Sequence, residues 1–152
     1  MYQNILVATD GTQLGSQAVE HAAKLAHALN ARLTIVTVTE PPPTFSSVEI
    51  GWTVPADVYD QFRRADAERA KKILQDALAA TARLGCVGSP IHIADQSPHA
   101  GILTAAKDTA ADLIVMASHG HRGFDRLILG SQASKVLSLA QCPVLVVKQH
   151  SE

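Results

Sequence analysis

The stretch MASHGHRGFDRLILGSQASKV, residues 116–136, decides which fold the rest of the chain is expected to adopt. It continues a short apolar run at 113–116, which predicts a buried strand. A polar segment containing Gly120 follows. From Gly130 and Ser131 onward, apolar residues recur at helical spacing: Ala133, Val136, Leu137 and Ala140. The stretch therefore predicts a strand, a glycine-containing loop and the start of a helix.

A loop that leads into a helix start is suited to binding an anion. The first N–H groups of a helix have no acceptor within it, and the helix dipole is positive at that end. Glycine at 120 and 130 would let phosphate oxygens approach the main chain and would allow a positive φ. Ser131 is predicted to cap the helix and to donate to a phosphate. An ordinary strand-to-helix connection is the alternative explanation of the same residues.

Apolar runs and helical periodicity alternate along the rest of the chain. Strands are predicted at 5–8, 33–38, 90–94, 113–116 and Val144–Val147, and helices at 19–30, 58–84, 98–109 and Ser131–Leu139. In the second helix, we expect an exposed Glu68–Lys72 pair and an apolar stripe: Val58, Phe62, Ala65, Ala70, Ile73, Ala77 and Leu84. Gly85 and Gly88 are expected to close that helix. Ser97 is predicted to cap the third helix, with Pro98 as its first residue.

The alternation predicts an α/β fold with an open parallel sheet and helices on both faces. Ligands of such sheets bind beyond the carboxyl ends of the strands, at the point where the strand order reverses. The first strand ends at Asp10-Gly11 and the fourth ends in the loop with Gly120. We therefore expect the binding crevice between these two strands.

Composition restricts the class of protein. The 152 residues are 47% hydrophobic and 18% charged, with a net charge of −1, which predicts one globular domain over residues 1–152. This charge gives no reason to expect nucleic acid or a membrane surface as a partner. No leader segment is recognised, and Cys86 and Cys142 are predicted to be small buried residues, which favours the cytoplasm.

The motif residues resemble a known family. The ATP-binding branch of the universal stress proteins carries glycine, two residues, glycine, nine residues, then glycine with serine or threonine. This chain matches with Gly120, the nine residues 121–129, Gly130 and Ser131, and it has Ala117 where the family has its first glycine. The segments 4–12 and 142–148 are also similar to the first and last strands of that family.

The resemblance implies the strand order 3-2-1-4-5 and ATP, with or without Mg²⁺, as the ligand. It implies that Asp10 and the backbone of Val38 lie beside the adenosine part. Gly120, Gly130, Ser131 and Gln132 would surround the phosphates. The further candidate residues are Met116, Ala117 and His119. The expected protein is a cytoplasmic, nucleotide-responsive stress protein that forms a homodimer through Val144–Val147.

Several of these residues have a second interpretation. Asp10 would either accept from the ribose or reach Mg²⁺ through water, or instead form an Asx bond in its own turn. Val38 and Met116 fit ordinary core packing equally well. Arg122 and Arg126 would either neutralise phosphates or face water. A metal site at His119, His121 and Cys142 is disfavoured, because loop histidines at this spacing mostly face solvent.

Other functions also stay open. Slow ATP hydrolysis or phosphoryl transfer is one, although no lysine stands beside Gly130-Ser131 as in a P-loop and no group is evident to position a water. A protein-interaction module without nucleotide is another. A phosphoacceptor receiver domain, built on Asp10, Asp95, Ser118 and Lys148, is a weaker third. The segment 41–55, which contains Trp52, is predicted to be a flexible flap.

Overall fold

A computed structural model of the chain describes residues 1–42, 55–120 and 129–149. Nine elements follow one another in these ranges: β1 Asn4–Ala8, α1 Gln13–Leu29, β2 Arg32–Thr39, α2 Ala56–Arg83, β3 Gly88–Ala94, α3 Pro98–Asp108, β4 Leu113–Ala117, α4 Ser131–Leu139 and β5 Val144–Val147. The predicted flap lies almost entirely outside the described residues.

The five strands form one parallel sheet in the order β3-β2-β1-β4-β5. The predicted fold class and strand order are both confirmed. The receiver interpretation is wrong, because a receiver sheet has the order 2-1-3-4-5 and places its third strand beside the first. Here β2 separates β3 from β1, and Asp95 follows a strand at the far edge of the sheet.

Each face of the sheet carries its own hydrophobic core. Ile5, Val7, Leu33 and Ile35 point toward α1 and α2, and Leu6, Val36, Ile114 and Met116 point toward α3 and α4. Adjacent strand residues alternate between the two sets, as the period of two requires. The central strands are therefore buried on both faces, which explains why their sequences are almost continuously apolar.

Helix α2 departs from the predicted pattern. Its buried residues are Ala70, Leu74, Ala77 and Thr81, so the predicted stripe is wrong at Phe62 and Ala65, which are exposed. Lys72 pairs with Asp76 at 3.2 Å and not with Glu68. Either acid lies four residues from Lys72, so spacing alone could not choose between them.

Only one of the two glycines expected to close α2 does so. Gly85 adopts a positive φ of 75° just after the helix, but Gly88 is already the first residue of β3. That strand thus begins before Pro90, and proline is tolerated there because β3 is an edge strand.

The Asp112 carboxylate links β4 to β1 at the amino edge of the sheet, where the strands begin. Asp112 accepts hydrogen bonds from the backbone N–H groups of Gln3 at 2.8 Å and Asn4 at 3.0 Å. Burial acts to raise the pKa of Asp112, but these bonds and the N-terminal ammonium group lower it below its usual 3.8. The start of β4 is thus held to the start of β1.

Both cysteines are free thiols that lie in or against the core. Cys86 is 7% exposed, and burial raises its pKa. Burial, and then the charge of Asp112, raise the pKa of Cys142. The expectation of a small buried residue is met at Cys86, whereas Cys142 is only partly buried. Among the described residues, no helix is long and apolar enough to cross a membrane.

Candidate functional site

The loop after β1 is organised by Asp10. Its Oδ1 accepts from the backbone N–H of Thr12 at 3.0 Å and from the Thr12 hydroxyl at 2.6 Å. The Thr12 Oγ1 in turn accepts from the Gly15 N–H at 3.1 Å, which caps α1. The Asx role considered for Asp10 is therefore confirmed, and this carboxylate builds the turn on which α1 begins.

The loops after β1 and β4 meet at Asp10 and Gly120. A Cβ added at Gly120 would lie only 2.6 Å from Oδ2 of Asp10. Because β1 and β4 are paired neighbours, their carboxyl ends bring these two residues together. The loops that follow the two strands are therefore in contact, and a Cβ at 120 would displace the Asp10 carboxylate.

Gly130 docks the start of α4 onto the end of β4. Its N–H donates to the Ser118 carbonyl at 2.7 Å, and an added Cβ would lie 2.9 Å from that oxygen and 3.1 Å from the Cα of His119. Its φ is −58°, so the expected positive φ is wrong. Glycine is required here because the two backbones are in contact.

The first amides of α4 face this same edge. Gly130 is the N-cap and Ser131 the first helical residue, so the predicted capping role of Ser131 is wrong. The first main-chain bond into the helix runs from the Ser134 N–H to the Gly130 carbonyl. In the described part of the chain, no side chain caps the amides of Ser131, Gln132 and Ala133.

Strand β2 extends past the last residue of β1. Val36 is opposite Ala8, the last residue of β1, and its carbonyl accepts from the Thr9 N–H at 3.0 Å. Backbone groups in a strand alternate sides, so those of Val38 point the same way as those of Val36. They point past the end of β1, toward the place where the sequence predicts the binding crevice.

The side chains of the strand ends pack in the core. Val38 and Met116 both belong to the cluster beneath α3 and α4, as the packing interpretation expects. Val38 is in close contact with α3, since a Cβ added at Gly101 would lie 2.6 Å from both of its γ carbons. The methyl of Ala117 packs on the opposite core, beneath α1 and α2. The departure from glycine at 117 thus adds no atoms on the α4 side.

Gln132 reaches across to α3. Its Oε1 accepts from the His99 N–H at 2.9 Å and lies 2.8 Å from the His99 Nδ1. Ser97, the predicted cap of α3, stands at the N-cap position, but its Oγ lies 3.2 Å from the same Nδ1 and makes no capping bond. The prediction of a serine cap is right in position and wrong in partner.

His119 lies between Gly120 and Ser118, whose carbonyl accepts from the Gly130 N–H. Its Nδ1 lies 3.1 Å from the Ser118 hydroxyl. No group of three or more potential metal ligands occurs among residues 1–42, 55–120 and 129–149. His121, Arg122 and Arg126 lie outside the described residues. Gly120 and His119 also border a small cleft of about 180 Å³ beside the start of α1, on the other face of the sheet from Val38.

His99 is a side chain of this region that sequence reasoning missed. The Ser97-Pro98 helix start indicated its position near the N-terminus of α3. Its partner is 33 residues further along the chain, and no local pattern predicts that contact.

Comparisons with known proteins agree with this architecture. Residues 1–148 match the model of the universal stress protein family. Universal stress protein YxiE of Bacillus subtilis is 35% identical over 149 residues, covering 97% of this chain and all of the relative. The chain therefore belongs to the universal stress protein family.

Two solved structures extend the comparison. UspA from Lactobacillus plantarum is 26% identical with a TM-score of 0.80, and the match covers 97% of this chain and 98% of that one. A universal stress protein in complex with cAMP is 26% identical with a TM-score of 0.71, and the match covers 98% and 99% of the two chains.

Proposed function

We propose that this protein binds ATP or a related adenine nucleotide, with or without Mg²⁺, and acts as a nucleotide-responsive regulatory module of the cytoplasmic stress response. The binding site would lie at the carboxyl edge of the sheet, between the ends of β1, β2 and β4. The adenosine part would contact the Val38 backbone and Asp10. The phosphates would contact Gly120 and the start of α4.

The main support for the proposal is the arrangement of backbone groups at the start of α4. Gly130 is held against Ser118 by a 2.7 Å hydrogen bond, and the following amides have no side-chain cap among the described residues. These N–H groups stand at the positive end of the helix dipole, at the edge where ligands of open α/β sheets bind.

Two further features support an adenine nucleotide over a simple anion. The main-chain N–H and C=O of Val38 are a donor and an acceptor side by side, which suits the edge of a purine base. A relative of known structure, 26% identical over nearly the whole chain, is described in complex with cAMP. These features support a ligand that has both a base and a phosphate.

The experiment is nucleotide titration of the purified protein and of two glycine variants. We expect saturable ATP binding and a rise in melting temperature at millimolar ATP, because a ligand selective for the native state stabilises it. Gly130→Ala should weaken binding at least about tenfold, since the new methyl pushes α4 away from Ser118 and the amides shift.

Gly88→Ala is the matched control. A Cβ there would also lie 2.9 Å from its nearest neighbour, but that neighbour is the movable Cδ1 of Ile35, and the position is at the start of β3, away from the carboxyl edge. This variant should bind ATP normally. No binding by the unmodified protein, or equal binding by Gly130→Ala, would overturn the proposal. Intact ATP after hours with Mg²⁺ and bound protein would favour regulation over hydrolysis.

We also propose a homodimer that pairs through Val144–Val147. β5 is an edge strand, so its outer backbone groups have no partner strand within this sheet. Apolar side chains are exposed near this edge on both faces of the sheet: Leu137 at 43% and Leu139 at 58% in α4, and Leu145 at 36% in β5. Pairing this edge with a second copy would provide partners for the outer backbone groups of β5 and would bury apolar side chains near them.

A further inference from the structure

The contact between Gln132 and His99 has a defined chemistry. The backbone N–H of His99 can only donate, so the Gln132 atom 2.9 Å away must be the carbonyl Oε1 and not the amide nitrogen. The same Oε1 lies 2.8 Å from His99 Nδ1. Because Oε1 only accepts, Nδ1 must carry a hydrogen. The Ser97 hydroxyl, 3.2 Å from Nδ1, therefore acts as an acceptor.

One glutamine oxygen thus receives two hydrogen bonds from α3. It performs the capping that Ser97 does not, and it does so from the second residue of α4. The bridge joins the first turns of two helices, and it is partly buried.

Each of these helices is packed tightly against a different part of the carboxyl edge. α3 is in close contact with Val38 through Gly101, and α4 is in close contact with Ser118 and His119 through Gly130. The Gln132–His99 bridge therefore links α3, which packs on Val38, to the start of α4, which packs on Ser118.

We infer that Gln132 is a positioning residue whose side chain, held by His99, aligns the first amides of α4 with the adenosine end of the site. This inference rests on the proposed nucleotide binding. Its consequence is that the Gln132 side chain contributes to ATP affinity through α3, and not by touching the phosphates.

A double-mutant cycle with Gln132→Met and His99→Phe tests this role. Methionine keeps the length of glutamine and removes the acceptor, and phenylalanine keeps a ring and removes Nδ1. Gln132→Met should weaken ATP binding about five- to tenfold and leave adenosine binding within about twofold, because only the phosphate contacts depend on α4 alignment.

His99→Phe should weaken ATP binding in the same direction by a smaller factor, since the backbone N–H still donates to Gln132. The double variant should bind like Gln132→Met alone, because the bridge is already lost. Gln96→Met is the matched control. Gln96 also accepts one hydrogen bond, from the Thr104 hydroxyl at 3.2 Å, but it does not bridge to α4. It should leave ATP affinity unchanged.

The histidine itself provides an independent readout. In ¹⁵N spectra of the unmodified protein, His99 should show the Nδ1–H tautomer when its ring is neutral, and Gln132→Met should lose that preference. The inference is overturned if Gln132→Met lowers ATP affinity by the same factor in the His99→Phe background as in the unmodified protein, since Gln132 would then act independently of His99, by contacting the phosphate directly. Normal ATP binding by Gln132→Met overturns this inference alone, and absence of binding by the unmodified protein overturns the proposed function as well.

Discussion

At the scale of single residues, the candidate site depends on contacts that leave no room for a side chain. Gly120 faces the Asp10 carboxylate and Gly130 faces the Ser118 carbonyl, each closer than a normal Cβ contact. The sequence motif identified both glycines, but it attributed them partly to a positive φ that Gly130 does not have. The spacing of the motif identifies the positions of the glycines. The physical reason for glycine at these positions comes from contacts between segments that the structure brings together.

The partner of Asp10 could be predicted because it is local, and the partner of Gln132 was missed because it is distant in the chain. The bond from Asp10 to Thr12 spans two residues and follows from turn chemistry. The bond from Gln132 to His99 spans 33 residues and depends on how α3 and α4 pack together.

A residue-level prediction concerns Asp112 at the amino edge. Its folded-state pKa is lowered, so its contribution to stability is complete above its usual pKa of 3.8 and is lost as the pH falls below 3.8 through the folded value. Asp112→Asn should lower the urea midpoint at pH 7, because an amide supplies only one acceptor for the two N–H donors. The two proteins should converge as the pH falls toward 3.

Urea unfolding at pH 7, 5 and 3 measures this effect. Asp108→Asn, the same exchange at an exposed position of α3, is the control for the change in charge. A difference between Asp112→Asn and the unmodified protein that stays constant from pH 7 to pH 3 would contradict the assigned role.

At the scale of elements, the sequence predicted every strand and helix of the described ranges. Boundaries differ by at most two residues, except that α1 begins six residues before the predicted start. Buried parallel strands are apolar runs and helices repeat every three to four residues, so both signals are local. The first half of α2 was less predictable. Phe62 and Ala65 fit the helical repeat, but α2 contributes buried residues only from Ala70 onward. Periodicity indicates a possible contact face and not the length over which a partner covers it.

The fit of α3 against β2 gives an element-level prediction. Alanine is favoured over glycine inside a helix by about 1 kcal/mol. At Gly101, however, the new Cβ would lie 2.6 Å from both γ carbons of Val38, and overpacking of this kind costs about 1–3 kcal/mol. Gly101→Ala should therefore lower the free energy of unfolding.

The sign should reverse once the obstacle is removed. In a Val38→Ala background, Gly101→Ala should be neutral or stabilising, because the γ carbons are gone and the helix propensity then dominates. Urea unfolding of the four proteins measures the coupling. Equal effects of Gly101→Ala in both backgrounds would show that the contact does not limit the packing of α3.

At the scale of the whole molecule, the strand order was the part that local patterns could not supply. Alternating strands and helices are compatible with several parallel sheets, and the order 3-2-1-4-5 came only from the family resemblance. That order places β1 beside β4 and leaves β5 at an edge. The crevice and the proposed dimer surface both follow from it.

The proposed dimer can be tested by placing a charge on that edge. Leu145→Lys should shift the protein from dimer to monomer at micromolar concentration in sedimentation experiments, because burying an ammonium group between two copies is costly. Val87→Lys is the control, since Val87 is 91% exposed and stands before the opposite edge strand. A monomeric unmodified protein would exclude the dimer, and a dimeric Leu145→Lys variant would exclude this edge as its interface.

The continuation of β2 past the end of β1 has a consequence for how this protein tolerates change. A purine lying in that gap would form hydrogen bonds with the main chain of β2, as another strand would, and would not depend on a side chain for them. Substitutions at position 38 that still fit against Gly101 would then leave base recognition intact. Variation at position 38 among related sequences would therefore not indicate that nucleotide binding had been lost.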